Sequence, residues 1–103
     1  MLKTLALDLT QRLRLAQVPV PPELDMSYAD WGPLPGLASV LGQAEAIMTN
    51  PRVPIDDAFL DAAPRVRFIQ LTSAGFERVD IDATVRRRVT VANSSVAIAP
   101  AVA

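Results

Sequence analysis

With 103 residues, half of them hydrophobic, a fifth charged and a formal net charge of −1, the chain has the size of one globular domain and offers no electrostatic case for nucleic acid or an anionic membrane. It contains neither Cys nor His, which excludes disulfides, thiolate nucleophiles, Ser-His-Asp triads, zinc fingers and histidine metal sites, so no metal site is assigned. No stretch reaches the ~20 apolar residues of a membrane span, and the start carries no basic leader followed by an apolar core, so a cytoplasmic protein is expected.

The aliphatic run Lys3 to Leu9 predicts a buried first strand with Asp8 at its carboxyl end. Gln11 to Ala16 could form a short helical turn before Pro19, Pro21 and Pro22 stop regular structure, and Pro19 to Pro35 gives no clear signal. From there Leu34, Leu37, Val40 and Leu41 recur along one helical face, with Gly42 placed as a C-terminal cap. Ala44 to Thr49 reads as a strand. A helix follows with Asp56 and Asp57 in its first turn, Ile55, Ala58, Phe59 and Ala62 on one face, and Pro64 as its stop. Val66 to Leu71 is a buried strand, after which Thr72, Ser73 and Gly75 open a loop. Asp80 then caps a helix running through Arg88, with Ile81, Val85 and the aliphatic part of Arg88 facing inward. The cluster Arg86, Arg87 and Arg88 fits the solvated last turn of that helix, where cations complement the macrodipole. Val89 to Ala92 forms the last strand, and the uncharged tail Val96 to Ala103 is expected to begin a helix that continues beyond the chain.

Strands alternating with helices at short intervals predict an α/β fold, a flavodoxin-like parallel sheet with helices on both faces and right-handed crossovers. Ligands of such sheets gather beyond the carboxyl ends of the strands, which makes Thr49 and Asn50, Thr72 to Glu77 and Asn93 to Ser95 the candidate site. Backbone N–H groups splayed at Ser73, Ala74 and Gly75 could bind an anion, with glycine allowing close approach; the residues alone leave a plain turn equally open.

The run from Arg67 to Asp80, followed by Ile81-Asp82-Ala83 and Val89-Thr90-Val91-Ala92-Asn93, resembles the amino-terminal part of the substrate (catalytic) domain in the D-isomer-specific 2-hydroxyacid dehydrogenases. That family includes phosphoglycerate, glyoxylate and formate dehydrogenases. Ala44 to Thr49 and Pro54 to Pro64 are similar to an earlier strand of that domain and the helix after it, so the resemblance covers about Gly36 to Ala103. The resemblance implies that Ser73, Ala74 and Gly75 form a substrate-carboxylate loop. Ala74 and Gly75 would donate amides or lie beside the nicotinamide, which makes Ala74 also a cofactor-side residue. Asn93 would offer a side-chain hydrogen bond to substrate. Glu77 and Asp80 read as structural, Glu77 hydrogen-bonding loop backbone and Asp80 capping a helix.

The implied function is that of a fragment of an NAD(P)-dependent oxidoreductase acting on the CH–OH group of a small D-2-hydroxy acid by hydride transfer. Its partners are a small 2-hydroxy or 2-oxo acid and further copies in a homo-oligomer, with no nucleic acid and no membrane. Residues 1–93 would be the amino-terminal part of the substrate domain and 94–103 the start of a truncated interdomain connection or helix. No Gly-x-Gly-x-x-Gly occurs among the four glycines, so NAD or NADP would be bound mainly by a Rossmann domain absent here. The Arg and His that work on substrate in the resembled family would also come from later sequence, leaving no catalytic residue in this chain and no activity in it alone. The alternative is a non-enzymatic flavodoxin-like binding or dimerisation module. A phospho-receiver is disfavoured because only Asp8 follows the first strand, Thr49-Asn50 follows a later one, and the single Lys is Lys3.

Overall fold

The computed structural model of the chain describes residues 2–8, 23–93 and 97–99. Six strands form one sheet: β1 (Leu2–Leu7), β2 (Leu24–Ala29), β3 (Ala46–Thr49), β4 (Phe68–Leu71), β5 (Thr90–Ala92) and β6 (Ala97–Ala99). Their spatial order is β2-β1-β3-β4-β5-β6; the first five are parallel, and β6 runs antiparallel to β5. The parallel order 2-1-3-4-5 is that of the flavodoxin-like fold. Three helices connect the strands, α1 (Leu34–Gln43), α2 (Asp57–Ala62) and α3 (Ile81–Arg86).

Register explains which strand residues are buried. Leu5, Ile47, Ile69 and Val91 stand side by side across four strands, as do Leu7, Thr49 and Leu71 two residues on, and all are buried. Leu37 and Leu41 of α1, Phe59 and Leu60 of α2 and Ala83 of α3 join the same cluster. The three helices therefore cover one face, as three successive crossovers in the same direction along the sheet require. The opposite face carries the rows Thr4, Ala46, Phe68, Thr90 and Ala6, Met48, Gln70, Ala92; toward β4 and β5 it opens, with Phe68 39% exposed. The helical turn expected over Gln11 to Ala16 lies outside the described residues.

Asp80 caps its helix as expected, accepting from the Ala83 N–H at 3.1 Å, whereas Asp56, expected inside the first turn with Asp57, is the N-cap of α2 and accepts from the Phe59 N–H at 3.0 Å. Other local expectations are corrected. Gly42 lies inside α1, which ends at Ala44 in an extended conformation with its N–H on Leu41 O, so no left-handed cap is needed. Ala58 is exposed, and Leu60 takes the buried position beside Phe59.

Arg88 does not face inward. α3 stops at Arg86, and Arg88 adopts φ 58° at the position after the cap, with Arg88 N bonded to Val85 O and Val89 N to Thr84 O. These two bonds make a Schellman ending with arginine where glycine is usual. Arg86 and Arg87 instead reach α2, Arg86 pairing with Asp57 at 3.3 Å and Arg87 with Asp57 at 3.2 Å and Asp61 at 2.7 Å.

The segment Leu24–Ala29, left unassigned by the sequence, is the edge strand β2, in which Asp25 and Ser27 are exposed and Met26 and Tyr28 half-buried. In the tail, Ala97–Ala99 pair with β5 as a strand rather than starting the expected helix. Pairing with the exposed edge of β5 satisfies backbone groups that a helix there would leave open.

Candidate functional site

All the described loops singled out above leave the carboxyl ends of β1, β3, β4 and β5, so parallel register gathers them on one rim. Two of them are joined by backbone. Ile55 and Val79 form an isolated parallel bridge, with Ile55 N donating to Arg78 O at 3.0 Å and Asp80 N to Ile55 O at 2.8 Å. Thr72 N donates to Thr49 O at 3.0 Å, which fixes the start of the β4 loop against the end of β3.

At the switch point between β1 and β3, Asp8 takes φ 60°. Asn50, 6% exposed, holds it there: Asn50 Nδ2 donates to Asp8 Oδ2 at 2.7 Å and to Asp8 O at 3.3 Å, while Asn50 Oδ1 accepts from Arg52 N at 2.8 Å. Trp31 N lies 3.4 Å from Asp8 Oδ1, and the exposed Arg52 guanidinium 3.7 Å from Oδ2. Thr49 Oγ1 donates to Leu7 O at 2.9 Å, a buried bond that ties the same two strand ends. The sequence marks Asp8 as a strand end and Asn50 as part of a candidate loop, but their pairing requires the crossover that brings β3 beside β1.

Ser73, Ala74 and Phe76 are exposed and Gly75 is half-buried. The N–H groups of Ser73, Ala74, Gly75 and Phe76 donate no hydrogen bond among the described residues. Four successive amides at a strand end are thus left without a protein acceptor among the described residues. No glycine has positive φ, so Gly75 is not there to supply a left-handed turn. A Cβ on it would lie 3.1 Å from Glu77 Oε2 and 3.5 Å from Pro51 Cβ, which places Gly75 where the β3 and β4 loops touch. Glu77 makes no backbone hydrogen bond among the described residues, contrary to expectation; its carboxylate rests beside Gly75 instead.

Asn93 is buried just past β5 and reaches back across the rim, with Nδ2 donating to Ala74 O at 2.9 Å. Gln70, not singled out by sequence, donates from Nε2 to Asn93 O at 3.1 Å and to Leu71 O at 2.9 Å. Thr72 Oγ1 is buried without a partner, the one such side-chain atom among the described residues. The structure thus brings Ala74, Gly75 and Asn93 together, with Ser73 adjoining on the same loop.

Two clefts, of about 60 Å³ beside Thr4 and Asp25 and about 370 Å³ between Leu60 and Arg87, lie at the amino-terminal edge of the sheet and do not coincide with this rim. The described residues hold no group of three or more acidic side chains placed for a metal, and no helix among them is long and apolar enough to cross a membrane. Gly32, Gly36 and Gly42 lie before or within α1 and Gly75 stands alone at a strand end, so the described residues contain no glycine-lined cradle for a pyrophosphate.

Comparison with known proteins places this arrangement. A sequence search of curated proteins gave no match. Among solved structures, the chain is similar to a phosphoglycerate oxidoreductase from Vibrio cholerae (TM-score 0.74, 22% identity, 90% of this chain and 31% of that one). It is also similar to the apo-form of D-lactate dehydrogenase from Escherichia coli (TM-score 0.73, 22% identity, 89% and 30%). An NAD-dependent formate dehydrogenase from Staphylococcus aureus, solved with NAD, matches with a TM-score of 0.62 at 15% identity over 91% and 31%. The chain spans about a third of the length of these proteins, and at such identities the likeness establishes the fold. The profile of the D-isomer specific 2-hydroxyacid dehydrogenase catalytic domain matches residues 14–103, nearly the whole chain, and the chain belongs to that family.

Proposed function

We propose that the chain is the carboxylate-binding side of a substrate domain in an NAD(P)-dependent oxidoreductase that interconverts a small D-2-hydroxy acid and its 2-oxo acid. The observation that carries this reading is the run of N–H groups from Ser73 to Phe76, without acceptors among the described residues, at a strand end in a chain of this family. Backbone donors fixed in place bind a carboxylate without a charged side chain, and they do so most strongly where water is excluded. In this reading Ala74 also borders the nicotinamide. NAD or NADP, which supplies hydride transfer when bound, is held mainly by a nucleotide-binding domain outside this sequence, and the 103 residues alone are inactive.

Residues 1–93 belong to the substrate domain and 94–103 to the connection leading out of it, and the whole protein works as a soluble homo-oligomer in the cytoplasm. The test is a titration of oxamate, a 2-oxo acid analogue, into the 15N-labelled chain. The amides of Ser73 to Phe76 shift saturably, whereas NADH gives no saturable fluorescence change. Absence of any saturable shift in those four amides overturns the carboxylate reading, and clear NADH binding overturns the division of labour.

A further inference from the structure

We propose that Gln70 and Asn93 are positioning residues that set the direction of the Gly75 N–H, an inference that rests on the carboxylate-loop reading above. The C=O of Ala74 and the N–H of Gly75 belong to one planar trans peptide and point in opposite directions. Whatever holds the carbonyl therefore aims the amide. Asn93 Nδ2 holds Ala74 O at 2.9 Å, and Asn93 is buried, so the anchor itself has little freedom. Its backbone is fixed in turn by Gln70, whose Nε2 donates to Asn93 O at 3.1 Å and to Leu71 O at 2.9 Å. Gln70 thus spans the ends of β4 and β5 from the sheet face opposite the helices, directly across from Ala92 in register.

The need for such a strut follows from the loop's composition. Ala74 is exposed, and a peptide preceding glycine flips readily because glycine accepts conformations closed to other residues. A flip would exchange the N–H for the carbonyl, replacing a donor by an acceptor where an anion has to bind. Among the described residues the β4 loop's other backbone bonds, Thr72 N on Thr49 O, Val79 N on Phe76 O, Ile55 N on Arg78 O and Asp80 N on Ile55 O, do not involve the Ala74–Gly75 peptide. Among the described residues, the hydrogen bond from Asn93 is the one that reaches this peptide. One N–H of Asn93 Nδ2 is committed to Ala74, so Asn93 acts on the anion site through this peptide, beside any bond that its remaining polar groups make to substrate.

The experiment repeats the oxamate titration on the 15N-labelled chain with Gln70→Met and, separately, Asn93→Ser. In the unsubstituted chain the Gly75 amide shows a larger shift at saturation than the Asn93 side-chain amide. Each substitution moves the Gly75 amide resonance of the free protein and raises the oxamate dissociation constant about threefold to tenfold, as loss of one hydrogen bond allows. The proposal is overturned if both variants bind within twofold of the unsubstituted chain with the free Gly75 resonance unmoved, or if the Asn93 side-chain amide shifts most. Should no oxamate binding occur at all, the carboxylate reading fails, and the free Gly75 resonance in Gln70→Met still decides whether the strut exists. If Gln70→Met alone fails to fold, Asn93→Ser gives the same readouts.

Discussion

Gly75→Ala separates two reasons for a glycine at the rim. Were its backbone left-handed, alanine would cost about 1 kcal/mol or more; Gly75 has no positive φ, so that cost does not arise. What remains is space. The new methyl would meet Glu77 Oε2 at 3.1 Å, which is tight, and Pro51 Cβ at 3.5 Å, which is ordinary contact. The Glu77 side chain is exposed and not hydrogen-bonded among the described residues, so its carboxylate can retreat by a few tenths of an ångström at little cost. Against this, alanine lowers the entropy of the unfolded chain, a gain of about 0.4–1 kcal/mol. The balance is a stabilisation of roughly 0.5 kcal/mol, or a rise of about 2–4 °C in Tm for a domain of this size. Thermal and urea unfolding of Gly75→Ala, with Gly75→Ala/Glu77→Ala as control, measure it, and the double variant should gain slightly more. A loss above about 1 kcal/mol that Glu77→Ala does not restore would refute the reasoning, because the backbone rather than the carboxylate would then be the obstacle.

Arg88→Gly should raise stability by about 0.5–1 kcal/mol, since arginine at φ 58° costs about 1–2 kcal/mol and glycine's extra unfolded-state freedom returns part of it; an unchanged urea midpoint would count against the Schellman ending. Phe59→Ala, which empties a fully buried position 6.2 Å from the Trp31 ring centre, should cost about 3–5 kcal/mol, followed by the fluorescence of the single tryptophan. Thr72→Val removes an unpartnered buried hydroxyl and should leave stability unchanged or raise it by up to about 1 kcal/mol; a marked loss would reveal a hydrogen bond made by that hydroxyl. The Asp57 carboxyl is held below its ordinary 3.8, first by the hydrogen bond from Arg86, with Arg87 adding to it. A depressed folded-state value means the contribution is present above the unfolded value and lost as pH falls through the folded one. Carbon-detected titration of Arg86→Ala should show Asp57 moving up toward 3.8, and an unmoved value would exclude that pair as the cause.

Where one residue's surroundings are made by its own element, the sequence was sufficient. The aliphatic runs at Leu5, Ile47, Ile69 and Val91 and the cap at Asp80 depend on local pattern, and they stand where expected. β2 shows a pattern that was legible in retrospect: Leu24, Met26 and Tyr28 alternate with Asp25 and Ser27, the period of a half-exposed edge strand, obscured by the prolines before it. Gly42 and Arg88 reversed the usual cap chemistry, because α1 ends through an extended residue and α3 tolerates a left-handed arginine. The rim was legible as a set of strand ends but not as a set of contacts. Asp8 with Asn50, and Gln70 with Asn93 and Ala74, join residues 19 to 42 positions apart, and only the assembled sheet brings them together.

The Ile55–Val79 bridge bears on how the rim opens. It joins the stretch after β3 to the stretch before α3, so neither can unfold locally without breaking hydrogen bonds of the other. Excursions that expose these amides to solvent exchange should therefore be shared, with the Ile55 and Asp80 amides exchanging at a common free energy as one subglobal unit. The N–H groups of the outer turn from Ser73 to Phe76 lie inside that unit without acceptors among the described residues, so they can exchange rapidly while the supports of the turn stay closed.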